Sequence, residues 1–278
     1  MSKTESHTNP GSRETAVRRS RTGTPVTRPL FDCWPQVVDS IRSAKHLALF
    51  SDFDGTLVAF RRRPGNVKPV GPLLRRVLRQ LTEHPHLSFF IISGRTLADL
   101  RQHIRIPGIC LLGLHGWEGR DVPPLREERQ LLQRVQRWLE PRLAAEPQIW
   151  IEHKGLSLAV HHRGASQSAI ERARLIVDEA LGIFGPQVHM MPGEKVWELL
   201  PLQIDGKGAA VCDVLATMPA RTLPIFVGDD TTDESAFQVL PDGVTIQVGE
   251  HRLTQARYRV RNPAEVRLFL RKLAAEIA

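Results

Sequence analysis

Apolar residues along this chain fall into two textures. The runs Leu47-Ala48-Leu49-Phe50, Phe89-Phe90-Ile91-Ile92 and Ile225-Phe226-Val227 are apolar at every position, as buried strands are. Between them, apolar residues recur at three- and four-residue spacing. Ala210, Val211, Val214, Leu215 and Met218 are one such stripe, the mark of an amphipathic helix. The pattern predicts strands near 46–52, 87–93, 109–114, 223–228 and 244–248. These alternate with helices near 71–83, 96–103, 208–217, 233–239 and 263–277. That alternation specifies an α/β fold with a doubly wound, Rossmannoid parallel sheet. The last helix opens with Asn262 as cap, Pro263 at its first position and Glu265 in a box-like start.

Between about 121 and 201 the texture changes. A long Arg/Glu/Leu helix, expected to break near Pro141, precedes strands near 149–152 and 156–161. A second helix follows, with a Ser168-x-x-Glu171 capping box and Gly185 near its end, and then strands near 187–191 and 195–199. The pattern divides the chain into a basic tail (1–35), a core (36–120 and 202–278) and an inserted α+β cap (121–201). Residues 1 to about 30 are rich in Ser, Thr, Pro, Gly and Arg, a composition that predicts disorder and lacks the apolar core of a signal peptide.

Charge and cysteines narrow the function classes. The net charge is +8, but residues 1–30 alone carry six basic residues (Lys3, Arg13, Arg18, Arg19, Arg21, Arg28) against Glu5 and Glu14. The remaining excess is arginine scattered over helices. Aromatics are few and no recognition motif appears, so no nucleic-acid partner is expected. No apolar run approaches the length of a membrane span. Three widely spaced cysteines (Cys33, Cys110, Cys212) fit a reducing cytoplasm, with Cys110 and Cys212 expected as packing residues.

The informative chemistry sits where apolar strands end. Asp52 and Asp54 follow the first strand, and a period of two points both to one side, where they can share a cation. Ser93, Gly94 and Arg95 follow the second. There a hydroxyl and backbone N–H groups at a helix start make an anion site, and Arg95 adds a planar cation. Lys207 opens a helix against its dipole, a mismatch that an anion would relieve. Asp229, Asp230, Asp233 and Glu234 place four acids in six residues, which repel one another without a cation. Hard oxygen ligands favour Mg²⁺.

Taken in order, D-x-D-G-T (52–56), S-G-R (93–95), K-G (207–208) and G-D-D-x-x-D (228–233) resemble the haloacid dehalogenase superfamily of phosphohydrolases. The resemblance implies Asp52 as a nucleophile that forms an aspartyl phosphate. Asp54 would be the acid and base. Ser93, Gly94 and Lys207 would hold the phosphoryl oxygens. Asp52, the backbone carbonyl of Asp54, Asp229 and Asp233 would hold Mg²⁺, with Asp230 an alternative supporter to Asp233.

Narrower segments resemble trehalose-6-phosphate phosphatases: Gly113-Leu114-His115-Gly116-Trp117-Glu118, the stretch from Glu152 through Lys154-Gly155-x-Ser157 to His161-x-Arg163, and Gly193 to Pro201. This resemblance implies Glu152, Lys154 and Glu198 as groups that grip sugar hydroxyls, with Arg95 and His115 also at the substrate. It implies a small-molecule sugar phosphate, trehalose 6-phosphate, as partner. Unbroken alternation from Glu152 to Val160 would instead turn Glu152 and Lys154 over the cap core, and a bulge at Gly155 would re-aim them. Leu200 stands where the family motif usually carries arginine, which leaves open a phosphatase of another sugar or pseudo-disaccharide phosphate. A weakly catalytic sensor, or a partner of a trehalose-phosphate synthase, is the alternative from a different class.

Overall fold

The computed structural model describes residues 27–59, 69–121, 125–193, 195–249 and 253–278. Its larger sheet has seven strands: β1 (Arg28–Pro29), β2 (His46–Ser51), β3 (Leu87–Ile92), β4 (Ile109–Leu112), β9 (Thr222–Gly228), β10 (Val244–Val248) and β11 (Tyr258–Val260). Their order is β1-β11-β10-β9-β2-β3-β4, and every pair is parallel. Strand parity divides the core into two layers. Leu47, Leu49, Phe89, Ile91, Ile225 and Val227 face one layer, whereas Ala48, Phe50, Phe90, Ile92 and Phe226 face the other. Helices α1 (Trp34–Ser43), α2 (Pro72–Thr82), α3 (Leu97–His103) and α8 (Pro263–Glu276) send apolar side chains into the first layer. Helices α6 (Lys207–Ala216) and α7 (Glu234–Val239) cover the second. Continuous apolar strands are thus buried on both faces, and their polar carboxyl ends emerge at one edge.

A separate four-stranded antiparallel sheet, in the order β5-β6-β8-β7, is made of β5 (Trp150–His153), β6 (Leu158–His161), β7 (Val188–Gly193) and β8 (Val196–Pro201). Helices α4 (Arg126–Leu143) and α5 (Gln167–Phe184) pack on one of its faces. Leu132, Val135, Leu139, Leu158, Val160, Val177 and Leu199 form the second core.

Several expectations are corrected. The disordered tail was expected to reach residue 35, but β1 pairs with β11, Leu30 is fully buried, and α1 begins at Trp34. Residues 1–26 lie outside the described residues. Helix α4 runs through Pro141 to Leu143 without the expected break; Pro141 lies in the last turn, so the bond it cannot donate to the Arg137 carbonyl is lost only at the end of the helix. The cap of α5 is Ser166, whose hydroxyl accepts from the Ala169 N–H, so the Ser168–Glu171 box does not form. Cys110 and Cys212 are exposed instead of packed. At α8, Asn262 accepts from Ala264 and Glu265 as the sequence implies.

Leu158 is fully buried at the centre of the second core. Leu158→Ala should cost about 2–5 kcal/mol of stability, read as a lowered urea midpoint. A loss under about 1 kcal/mol would mean that this layer is not closed around it.

Candidate active site

The carboxyl ends of β2, β3 and β9 and the amino end of α6 meet beneath a cavity of about 920 Å³. At its floor the Lys207 ammonium donates to Asp52 Oδ1 at 2.6 Å and to Asp233 Oδ1 at 2.7 Å, with all three side chains buried. The lysine that opposes the helix dipole is therefore held by two buried carboxylates. Burial would push its pKa down, but Asp233 and Asp52 hold it above the ordinary lysine value. Asp233 Oδ2 also accepts the Asp230 N–H at 2.9 Å, in a capping box that fixes the acidic turn.

The glycines of these motifs make room for the acids. Gly55 has φ +81°, and a Cβ there would lie 2.0 Å from Asp229 Oδ2. A Cβ at Gly228 would meet the Asp233 carboxyl carbon at 2.2 Å, and one at Gly208 would meet the Ser235 carbonyl oxygen at 2.5 Å. Any side chain at these points would displace a carboxylate, or push α6 and its lysine away from α7.

Asp52, Asp229 and Asp233 bring carboxylate oxygens within 4.8 Å of one another. Thr56 donates to Asp229 Oδ1 at 2.8 Å, and Lys207 supplies one positive charge against the three acids. Burial, reinforced by Asp233, pushes the Asp229 carboxyl up to about 7, while burial raises Asp52 well above its usual range despite Lys207. An all-oxygen donor set with excess negative charge fits a hard divalent cation. Asp230, the alternative to Asp233, instead accepts from the Thr231 N–H at the mouth of the turn.

Ser93 is buried at the end of β3, and its Oγ accepts the Arg95 N–H at 3.3 Å. Ser93, Gly94 and Arg95 all line the cavity. Arg95 is engaged by protein on several sides. Its Nε and Nη2 donate to the two oxygens of Asp54 at 2.5 and 2.8 Å, its Nη1 donates to Asp99, and it lies over the Phe53 ring. Asp54 thus sits in a bidentate pair that the sequence reading did not foresee. Asp99 carried no signal beyond its place in the first turn of α3.

Above the floor, the seam between the two sheets is built on Glu198 of β8. Its Oε1 accepts from Lys154 Nζ at 3.0 Å and Ser157 Oγ at 2.5 Å, and its Oε2 meets His115 Nε2 at 2.7 Å. Lys154 also donates to the Gly94 carbonyl at 3.3 Å, tying the smaller sheet to the end of β3. Burial pushes the Glu198 carboxyl up, but Lys154 and His115 outweigh it and hold the group well below the ordinary glutamate value. Leu114 and His115 adopt positive φ (46° and 57°), a strained pair whose N–H groups are fixed by the Arg95 and Ser93 carbonyls.

Glu152 and Lys154 line the cavity. Gly155, at φ +85°, separates β5 from β6 in a turn, so the two residues share the cavity face with Ser157 and His161 while Leu158 and Val160 face the core. Glu152 accepts from His161 Nε2 at 2.9 Å. His161 and Trp150 line the same wall and were not among the expected site residues. Leu200 is fully buried in a small apolar cluster with Leu114, Leu156 and Ile204.

Known proteins share this architecture. The profile of the trehalose-phosphatase family matches residues 50–268. The trehalose-phosphate phosphatase of Mycobacterium ulcerans is 32% identical over 248 residues, which span 83% of this chain and 62% of the relative. That of Mycobacterium tuberculosis is 31% identical over 253 residues, 84% of this chain and 63% of the relative. The chain thus spans less than two thirds of the length of these curated relatives. A solved trehalose-6-phosphate phosphatase related protein is 26% identical with a TM-score of 0.68, covering 82% of this chain and 97% of its own. The C. albicans trehalose-6-phosphate phosphatase C-terminal domain shares the fold with a TM-score of 0.79 at 22% identity, covering 91% of this chain and all of its own.

Glu198→Gln leaves the half-buried Lys154 and the buried His115 without their anion and should cost about 3 kcal/mol by urea denaturation. Because the folded-state pKa of Glu198 is depressed, its stabilisation is present above the usual 4.5 and lost as pH falls below that value. Wild type should therefore lose more stability than the variant over that range. Equal pH slopes would show that the network is not ionic.

Proposed function

Because this chain belongs to the trehalose-phosphatase family, we propose that it hydrolyses trehalose 6-phosphate to trehalose and phosphate, with Asp52 carrying the phosphoryl group between two displacements. The observation that carries this reading is the cavity floor. Asp52, its neighbour Lys207 and the Asp229–Asp233 cluster lie together under a wall of hydrogen-bonding groups suited to a polyol.

Asp52 attacks phosphorus, and the bond from phosphorus to the sugar oxygen breaks. Asp54 donates a proton to that oxygen as it leaves. Asp54 then removes a proton from water, which attacks phosphorus and releases phosphate and free Asp52. Lys207, with Ser93 and the backbone of Gly94, stabilises the charge on the phosphoryl oxygens. Asp52, the Asp54 carbonyl, Asp229 and Asp233 would hold a divalent cation, which would supply further neutralisation of that charge. Mg²⁺ suits this donor set. Arg95, itself held by Asp99, is a positioning residue for Asp54, and the pair must open before Asp54 can exchange a proton with substrate. Glu152 and Lys154 offer an acceptor and a donor to sugar hydroxyls, and the smaller sheet serves as the cap that excludes water.

Partners other than a sugar phosphate are not required by this reading. Among the described residues no helix is long and apolar enough to cross a membrane. Three free cysteines suit a reducing, cytoplasmic setting.

Phosphate release from trehalose 6-phosphate should exceed that from glucose 6-phosphate and sucrose 6-phosphate. Asp52→Asn or EDTA should lower it by at least about a thousandfold. A preference for another sugar phosphate would leave the chemistry and overturn the substrate. Thermal shift tests the metal separately. The raised Asp229 pKa means that, without metal, its stabilisation is present below 3.8 and lost as pH rises through about 7. Mg²⁺ should therefore raise Tm more at about pH 8 than at about pH 5, and Asp229→Asn should remove the difference. A Tm gain independent of pH and of Asp229 would place the metal elsewhere.

A further inference from the structure

A second cavity, of about 630 Å³, lies behind the Glu198 seam and shares no lining residue with the catalytic one. Three arginines ring it. Arg101 comes from α3 of the larger layer, and Arg126 and Arg129 come from the start of α4. All three are exposed, and among the described residues none has a hydrogen-bond or ion-pair partner for its guanidinium. The one carboxylate in the lining, Glu118, already accepts the Leu97 N–H at 2.5 Å. A single exposed arginine needs no explanation. Here three, from two elements, border one hollow with no free acid facing them.

The rest of the lining is largely apolar and includes Leu97, Leu125, Leu156 and the half-buried Trp117. A guanidinium fork matches phosphate with paired, charge-assisted hydrogen bonds, and an indole gives a planar ring a stacking face. The volume is within the usual range for small-molecule sites, about 300–1,000 Å³.

Position gives this hollow a consequence for the catalytic cavity. Leu97 lies between Arg95, which holds Asp54, and Asp99, which holds Arg95. Trp117 closes the strained turn of His115, and Leu156 precedes Ser157; His115 and Ser157 both meet Glu198. Arg129 reaches the turn between β5 and β6, where a Cβ on Gly155 would lie 3.0 Å from its Nη1. Because the arginines belong to both layers, lifting the smaller sheet separates them. An anion bridging them therefore favours the closed seam.

We propose that this hollow is a regulatory site for a small phosphate ester bearing a planar ring, of mononucleotide size. Its phosphate lies on Arg101, Arg126 and Arg129 and its ring against Trp117. Bound there, it holds the two layers together and tightens the catalytic cavity on its substrate. Binding at this site is independent of the phosphatase reading; only the effect on turnover rests on that reading.

The probe is adenosine 5′-monophosphate, titrated calorimetrically into the full chain without added metal, beside adenosine and pyrophosphate. The nucleotide should bind more tightly than either, since each lacks one half of the recognition. Arg101→Gln and Arg129→Gln, both at exposed positions, should each weaken it about tenfold. Trp117→Leu should weaken it and Trp117→Phe should retain it. No binding, or binding unchanged by both arginine substitutions, overturns the site. Pyrophosphate binding as tightly as the nucleotide overturns the planar-ring assignment. In steady-state kinetics the nucleotide should lower KM for trehalose 6-phosphate about fivefold in wild type and leave it unchanged in Arg129→Gln. A KM raised equally in both proteins places the nucleotide in the catalytic cavity and overturns the site. If trehalose 6-phosphate is not turned over, the phosphatase reading fails and calorimetry still decides the site.

Discussion

A single buried ammonium organises the catalytic end of this molecule. Lys207 lies between Asp52 at the end of β2 and Asp233 at the end of the turn that joins β9 to α7, so three segments far apart in sequence meet on one cation. Desolvating these charges is costly, and the arrangement is tolerable only because each carboxylate is also engaged elsewhere or shares the cluster with Asp229. The requirement propagates outward. It demands glycine at 55, 208 and 228, where any Cβ would strike a carboxylate or the α7 backbone. It also demands parallel strands that end in register, which the pairing of β2 with both β3 and β9 provides.

The second organising charge is Glu198, and its task is different. It draws Lys154 and Ser157 of the smaller sheet, and His115 of the strained turn beside β3, to one point. The smaller sheet is thereby fixed over the floor by a buried ionic contact, with the Leu114–Leu156–Leu200–Ile204 cluster beside it. A leucine at 200 suits that apolar seat, since a guanidinium buried among those leucines and the isoleucine would need an anion. The substrate chamber then falls between two rigid layers. Its floor handles charge and its wall handles shape and hydroxyls.

Long, strongly patterned elements were legible from the residues alone. β2, β3 and β9 are unbroken apolar runs closed by acids or serine, and α8 carries its cap and proline at the expected places. Short elements were not. β1 has two residues and β11 has three, too few for any period to register, and each exists because its neighbour supplies the hydrogen bonds. Helix α1 did carry a readable stripe, Val37, Val38 and Ile41, masked by the compositional bias of the preceding tail. The cap of α5 shifted from Ser168 to Ser166 because two candidate serines lie within one turn, and local preference does not distinguish them.

The sequence by itself determined the class of fold, the order of the strand-end motifs and the acidic residues that close those strands. Those features are local: they depend on period, on turn chemistry and on charge spacing within a few residues. Tertiary structure alone decided who partners whom. It placed Asp54 in the grip of Arg95, turned Glu198 into the clasp of the seam, and set Trp150 against His161 on the outer wall. Each of those contacts joins residues whose separation along the chain carries no energetic signature until the chain is folded, because a hydrogen bond or a ring contact depends on distances and directions that only packing creates.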